Sequence, residues 1–176
     1  MLLHLLHDTP AVAVYYDSAN DWLFVDWHGH LDLPRVQAGC LTLAQCLLQR
    51  SYARVLNSNC DVTSISADVA PWMVHEYLPR MVLAGIEYLA WVCAPSPLAR
   101  YVASEAERQL QGAMVASFDD LAAAYAWLSQ AHPSAPAPPA ADAQRRLRKR
   151  VGALTEAMAQ YRQVARLVVT PERVEA

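Results

Sequence analysis

The chain has 176 residues, of which 55% are hydrophobic and 18% are charged. This length and balance suit one ordinary globular domain with an appendage, and they exclude a disordered chain. No apolar run approaches the ~18 residues of a membrane span, and the N-terminus lacks the basic residues and long apolar stretch of a secretory signal. The sequence therefore predicts a cytoplasmic protein with no membrane span.

Charge is distributed unevenly along the chain. Residues 1–131 hold 13 acidic and 6 basic residues, a net charge of −7, whereas residues 132–176 hold 4 and 8, a net charge of +4. An acidic body and a basic tail can attract each other within or between chains. The overall charge of −3 and the lack of aromatic residues among the basic ones argue against nucleic acid as a partner.

The four cysteines form no Cys-x-x-Cys motif. Cys40 and Cys46 are six residues apart on a predicted helix and point to different faces of it. We therefore expect the thiols of Cys40, Cys46, Cys60 and Cys93 to be reduced and buried.

The first 50 residues predict a β-hairpin followed by a helix. Residues 12–17 and 22–27 are β-branched and aromatic runs, and polar turn residues separate them. Asp32 can cap a helix that has Pro34 in its first turn, and this helix should end near Arg50.

A buried strand is predicted at residues 54–57, followed by small polar residues up to residue 66. We interpret these polar residues as a turn before a helix over residues 67–84. Pro79 lacks an N–H group, so this helix should kink or restart within residues 77–80. Ligands and partners usually bind at the carboxyl ends of strands in an open α/β sheet, which makes the polar turn the predicted location of a site.

The next 50 residues predict two further β-α units. Residues 86–93 and 112–117 have strand patterns, a helix begins at Ser96, and a capping box from Ser117 opens a last helix over residues 119–130. The order is β-β-α-β-α-β-α-β-α, which indicates an α/β fold with a mostly parallel five-stranded sheet.

The chain divides into four parts. Residues 1–131 form the α/β domain, and residues 132–141 form a semi-rigid Pro/Ala linker. Residues 142–169 predict one long amphipathic helix, and residues 170–176 form a tail that begins with a helix-ending Thr-Pro pair.

Apolar residues repeat with heptad spacing along the predicted C-terminal helix, which indicates a buried seam. The first turns of this helix are basic and oppose the helix dipole, so an acidic or apolar surface must hold it. We expect a homodimer in which the helix pairs with its copy or docks on the neighbouring subunit; packing on its own domain is the alternative. The seam residues expected to form the contact are Leu147, Val151, Leu154, Met158 and Tyr161.

The element order and residues 55–59, 85–92 and 117–128 carry a family resemblance. They resemble the bacterial STAS-like proteins, specifically the small SpoIIAA-like "STAS/SEC14 domain" proteins of unassigned function, over about residues 10–130. The resemblance implies a SpoIIAA-like fold. In the anti-sigma-factor antagonists of that fold, a partner kinase phosphorylates a serine at the start of the helix after the third strand. Ser58 is the positional analogue of this switch residue, without the Asp-Ser-Ser-Gly-like motif.

The polar turn is the candidate site for a protein partner or a ligand. Its residue types also form turns by bonding their own backbone, and a simple helix-capping turn is the alternative. No base accompanies Ser58, so replacing Ser58 and Asp61 with alanine should leave folding nearly unchanged. The candidate residues are Asn57, Ser58, Asn59, Asp61, Thr63 and Ser64.

One cluster, Asp26, His28, His30 and Asp32, has the ligand chemistry of a zinc or manganese site. The spacing names no further ligand elsewhere in the chain, so we expect no metal. No nucleophile–base pair and no nucleotide-binding glycine motif can be assembled from spacing. We therefore predict no catalytic residue, no enzyme activity and no cofactor.

The leading hypothesis is a non-enzymatic regulatory or protein-interaction module that presents the polar turn to a protein partner and self-associates through its C-terminal helix. The alternative is a carrier or sensor of a small lipophilic ligand, held among aromatic residues that otherwise form core. These aromatic residues are Trp22, Trp27, Trp72, Trp91, Trp127, Tyr15, Tyr77 and Tyr88.

Overall fold

The computed structural model describes residues 1–81 and 84–133, together with residues 145, 148, 149, 152 and 156. The strands of this part of the chain are β1 (Leu3–Asp8), β2 (Val12–Asp17), β3 (Trp22–Leu31), β4 (Arg54–Ile65), β5 (Tyr88–Val92) and β6 (Met114–Phe118). Its helices are α1 (Leu33–Gln49), α2 (Val69–Trp72), α3 (Leu78–Met81), α4 (Pro97–Gln109) and α5 (Leu121–Ser129), and a π-helical segment (Met73–Tyr77) joins α2 to α3.

The strands form one mixed sheet in the order β1-β2-β3-β4-β5-β6. β1 pairs antiparallel with β2, and β2 with β3, whereas β3, β4, β5 and β6 are parallel to one another. The predicted α/β class, the hairpin and the alternation of strands with helices are confirmed. Parallel neighbours need a crossover, and the intervening helices supply it.

The predicted number of strands is wrong: the sheet of the described residues has six strands, not five. The additional strand is β1, which lies at the edge of the sheet. Leu3 and Leu5 are 39% and 57% exposed, so β1 does not bury a face in the described part of the chain. A strand of this kind lacks the alternation by which sequence indicates a strand, and its pairing with β2 is mostly a backbone property.

The predicted polar turn is also wrong, because residues 57–65 lie within β4, a strand of 12 residues. β3 extends to Leu31 and pairs with this part of β4, with register shifts between Asp26 and His28 and between Gly29 and His30. The neighbouring strand therefore satisfies backbone groups that a turn would leave to water, and strand geometry continues through the polar sequence.

The sheet has a hydrophobic core on each face. α1, the α2–α3 region and α4 cover one face, where Val25, Trp27, Val55 and Trp91 are buried. α5 covers the other face, and its Leu128 packs with buried residues of β3, β4 and β5. Successive residues of a strand point to opposite faces, so neighbouring residues of β4 belong to different cores.

Side-chain caps begin three helices, and two of them are predicted correctly. Asp32 and Ser96 accept hydrogen bonds from the N–H groups of Arg35 and Ala99 at the start of α1 and α4. The cap of α5 is Asp120, whose side chain accepts from the N–H of Ala123. The predicted cap, Ser117, is wrong because β6 continues to Phe118 and keeps Ser117 in the sheet.

The irregularity predicted near Pro79 takes the form of the π-helical segment, after which α3 begins at Leu78. The N–H of Leu78 bonds to the carbonyl of Met73, five residues earlier. Pro79 has no N–H to continue a regular α-helical ladder, so the chain changes its hydrogen-bond period just before it.

The predicted linker beyond residue 133 and the predicted continuous C-terminal helix fall mainly outside the described residues. All five seam residues, Leu147, Val151, Leu154, Met158 and Tyr161, lie outside them. In the part of the chain that the structure describes, no helix is both long and apolar enough to cross a membrane.

All four cysteines are free thiols, as expected. Cys40 and Cys46 are buried, and burial raises the pKa of Cys46 to about 11. The expectation of burial is wrong for Cys60, which is exposed, and Cys93 is partly buried. Cys60 lies in the polar half of β4, where the sheet has narrowed.

Candidate functional site

β4 sends its polar side chains to both faces of the sheet. Asn57 and Asn59 share the face that carries Val55, whereas Ser58 lies on the opposite face with Leu56. All three polar residues are buried, with exposed fractions of 6%, 7% and 1%. The candidate residues predicted as one turn therefore form two separate environments.

A cavity of about 90 Å³ lies between the sheet and the helices that cover its larger core. Trp27 and Trp91 contribute the sheet side, and Asn57 and Asn59 lie in the same wall. The helical walls are supplied chiefly by Cys40, Met73, Tyr77, Ala99 and Val102. Of the described residues that line the cavity, none carries a formal charge.

Asn57 is held by a single side-chain bond. The indole Nε1 of Trp27 donates a hydrogen bond of 3.0 Å to Asn57 Oδ1. An indole N–H is only a donor, so this bond fixes which end of the amide faces Trp27. The Nδ2 of Asn57 is buried and has no hydrogen-bond partner among the described residues.

The Tyr77 ring reaches the same cavity from the π-helical segment. It stacks on Trp72 with a centroid distance of 5.9 Å, and its exposed fraction is 4%. Within the described chain its hydroxyl meets no nitrogen or oxygen partner, and the Cys40 thiol beside it is a weak one. Burial, with a smaller contribution from Cys40, raises the pKa of Tyr77 well above its usual value, so the hydroxyl keeps its proton.

A glycine makes room for the tryptophan that orients Asn57. A Cβ atom on Gly39 of α1 would lie 2.6 Å from the Trp27 ring and 2.8 Å from Val12. Both distances are too short for real contacts, so Trp27 can occupy its place only because residue 39 has no side chain. α1 and the cavity wall are thus coupled through one indole ring.

Asn59 ties β4 to β5 at the point where their regular pairing stops. Its Nδ2 donates a hydrogen bond of 2.8 Å to the carbonyl of Val92. Regular β4–β5 pairing ends with Ser58 opposite Val92. This bond therefore extends the connection between the two strands along the cavity wall.

The opposite face of β4 carries a small acidic cluster. Burial raises the pKa of Asp26, the hydrogen bond with Ser58 opposes this rise, and the nearby charge of Asp61 adds to it. Ser58 lies inside a strand and is 1% exposed, not at the start of a helix as the resemblance implies. A kinase could reach this hydroxyl only if the strand opened.

Asp61, Thr63 and Ser64 are exposed on the outer half of β4, where it pairs with β3 beyond the end of the β4–β5 ladder. Ser64 Oγ lies 2.6 Å from Nδ1 of His30 on β3. These three residues keep the surface position that the sequence analysis predicted for the whole group.

The residues with metal-ligand chemistry do not converge. Asp26, His28 and His30 all lie on β3, but two register shifts change their alignment with β4, and Asp32 serves as the cap of α1. Within residues 1–81, 84–133 and the five isolated positions, no group of three or more His, Cys, Asp or Glu residues could hold a metal ion.

Three of the eight predicted pocket aromatics, Trp27, Tyr77 and Trp91, line the cavity. Four others belong to the core under α5; these are Trp22, Tyr15, Tyr88 and Trp127. Gly39 and the π-helical segment were missed. A lone glycine on the apolar side of a predicted helix was the available signal for the first, and Pro79 was the signal for the second.

Comparison with known proteins reaches only the level of the fold. No family model matches the sequence, and no curated protein is significantly similar to it. A similar solved structure is that of an uncharacterized DUF3478-family protein with a SpoIIAA-like fold from Shewanella loihica PV-4. The two chains are 15% identical with a TM-score of 0.44, and the match covers 71% of this chain and 99% of that one.

The resemblance to SpoIIAA-like proteins predicted from the sequence thus has a counterpart among solved structures. At this identity and TM-score, nothing about the site, a ligand or a partner follows from it.

Proposed function

We propose that this protein is a carrier or sensor of a small lipophilic ligand, bound in the cavity between the sheet and helices α1 to α4. The observation that carries the proposal is the cavity itself, which is lined by aromatic and aliphatic side chains and by a few buried polar groups. Ligand sites commonly combine apolar walls with a small number of fixed polar groups.

The cost of the cavity supports a binding role. Protein interiors are normally close-packed, and unfilled volume costs about 24 cal/mol per Å³. A volume of about 90 Å³ therefore costs roughly 2 kcal/mol at that rate. An apolar ligand would recover this energy, and an engineered apolar cavity of about 150 Å³ binds benzene in this way.

The local backbone supports the same role. Both Met73 and Tyr77 reach the cavity from the π-helical segment. π-Helical turns are rare and often occur at functional sites, where they redirect side chains that a regular helix would place elsewhere.

Binding is favoured over catalysis by the state of the cavity's thiol. Cys40 is the one cysteine among the described lining residues, and burial raises its pKa strongly. Its neutral thiol is a poor nucleophile. The chemistry of the wall therefore suits holding a ligand rather than attacking it.

A cavity-filling substitution tests the proposal. Ala99→Leu on α4 should occupy the cavity and abolish saturable binding of cyclopentane, measured by NMR shifts of cavity methyl groups. Ser104→Leu, on the exposed side of the same helix, introduces the same side chain and should leave binding intact. Failure of the wild-type protein to bind cyclopentane saturably, with its fold intact, would overturn the proposal.

A role as an interaction module is the second candidate. It is favoured by the exposed outer half of β4, where Asp61, Thr63 and Ser64 face solvent. Self-association through the C-terminal helix belongs to this proposal. Light scattering should then give a dimer or larger species for the full chain and a smaller one after deletion of residues 132–176. A monomeric full chain at tens of micromolar would contradict it.

A further inference from the structure

We infer that the ligand of this cavity is uncharged and carries a hydrogen-bond acceptor, such as a carbonyl oxygen, that Asn57 Nδ2 and the Tyr77 hydroxyl bind. The inference rests on the proposed function and specifies the chemistry of its ligand. Both side chains are more than nine-tenths buried and line the same cavity.

The donor character of Asn57 does not depend on an arbitrary choice of amide orientation. Trp27 Nε1 can only donate, so it must face Asn57 Oδ1, and the opposite end of the amide is the NH₂ group. That group has no partner in the described part of the chain. A buried donor in this state is costly, and only an acceptor relieves it.

Tyr77 offers a second polar group in the same wall. Its hydroxyl finds no nitrogen or oxygen partner among the described residues, whereas buried tyrosines usually have one. A hydroxyl can donate or accept, so it adapts to the ligand, while Asn57 Nδ2 demands an acceptor.

The lining also determines the charge of the ligand. Of the described lining residues, none is charged, so neither a carboxylate nor an ammonium group would meet an opposite charge inside. Burying an unpaired ion is far costlier than burying a neutral carbonyl. This argument favours ketones, esters and amides over fatty-acid anions and amines.

Buried polar atoms without partners are not all equivalent in this protein. Trp22 Nε1, Gln37 Nε2 and Arg54 Nε also have no partner among the described residues. None of these three residues lines the cavity, whereas Asn57 and Tyr77 both do. Only the latter pair is therefore placed where a bound molecule could satisfy it.

The test compares cyclopentanone with cyclopentane, two rings of similar size that differ in one carbonyl group. Tyr77→Phe removes only the hydroxyl. It should weaken cyclopentanone binding about fivefold, the equivalent of one ~1 kcal/mol hydrogen bond, and change cyclopentane binding less than twofold. Tyr101→Phe, on the exposed face of α4, is the matched control and should change neither affinity.

A second variant addresses Asn57 directly. Asn57→Asp keeps an oxygen for the Trp27 N–H but replaces the free NH₂ group with an acceptor, and it should weaken cyclopentanone selectively. Cyclopentanecarboxylate should fail to bind the wild-type protein. If cyclopentane binds but both variants leave the ratio of the two affinities unchanged, the inference is wrong and the proposed function stands. If neither ring binds the wild-type protein, the proposed function itself fails.

Discussion

The protein buries polar side chains at two ends of its sheet, and the two clusters differ in how they are satisfied. At the hairpin end, Asp17 is fully buried, and its carboxylate accepts from Leu2 N at 2.9 Å, Ala19 N at 3.1 Å and Asn20 Nδ2 at 2.7 Å. At the cavity, Asn57 has one side-chain bond, and its NH₂ group has no partner among the described residues.

The hairpin cluster also ties distant parts of the chain together. Asn20 Nδ2 donates to the hydroxyl of Tyr125 on α5 at 3.1 Å, and the Tyr125 ring meets Trp22 edge-on. Arg54 donates to the carbonyls of Asn20 and Ala131. One cluster thus connects the hairpin, β4 and α5.

The contrast extends to the two buried or half-buried aspartates. Burial would raise the pKa of Asp17, but its hydrogen bonds outweigh burial and the pKa is lowered. Burial raises the pKa of Asp26, and its bond with Ser58 does not compensate. The difference teaches that the hairpin end stabilises the fold, whereas the polar groups of β4 retain unsatisfied capacity.

Replacing Asp17 with alanine should give the largest effect. The change leaves three donors without their shared acceptor, and we expect a loss of about 3 kcal/mol in the free energy of unfolding at pH 7, measured by urea denaturation. The folded pKa of Asp17 is lowered, so its contribution is present above the unfolded value of about 3.8 and is lost as pH falls through the folded value.

Asp68→Ala is the matched control for this change. Asp68 precedes α2, is exposed, and its side chain makes no capping hydrogen bond. Its replacement should stay within about 0.5 kcal/mol. Equal losses in the two variants would remove the distinction between the two ends of the sheet.

Gly39→Ala should come next, because it pushes on the wall of the cavity from outside. Alanine is the better helix former by about 1 kcal/mol. The clash with Trp27 should outweigh this gain and give a net loss of about 2 kcal/mol, measured by thermal unfolding. Stabilisation by this substitution would show that Trp27 moves freely and that its bond to Asn57 is not fixed.

Ser58→Ala should destabilise the protein by about 1 kcal/mol, because it removes the hydrogen-bond partner of Asp26. Asp61→Ala, on the exposed part of the same strand, should stay within about 0.5 kcal/mol. The sequence analysis expected little effect from either change. Chemical denaturation of the two single variants separates a buried strand from the predicted surface turn, for which both would be neutral.

Asp26→Asn should have the smallest effect and the opposite sign. The folded pKa of Asp26 is raised, so its favourable contribution is complete below the unfolded value of about 3.8 and is lost as pH rises through the folded value. The asparagine variant avoids this loss. We expect it to be slightly more stable than wild type at pH 7 and to lose that advantage near pH 3; a pH-independent difference would be inconsistent with this account.

The sequence predicted those parts of the fold that depend on local patterns. The hairpin follows from two β-branched runs around polar turn residues, and the starts of α1 and α4 follow from Asp32 and Ser96 as capping residues. β1 was missed because an exposed edge strand carries no alternation to detect. The polar half of β4 was misread because its stability comes from pairing with β3, a tertiary property.

The candidate site was predicted only in part. Asn57, Trp27 and Tyr77 were each singled out, but for different reasons, and nothing in their spacing indicated that they share one cavity. That association depends on the register of β3 with β4 and on the rotation of the π-helical segment. Both are set by packing across distant parts of the chain.

The π-helical segment also has a genetic consequence. A π-turn spans one more residue than an α-turn, so deletion of the exposed His75 codon would let the segment become regular α-helix. Residues on either side of the deletion would rotate by about 100° relative to one another. One lost codon could thus turn Met73 or Tyr77 away from the cavity while every lining side chain kept its chemical identity.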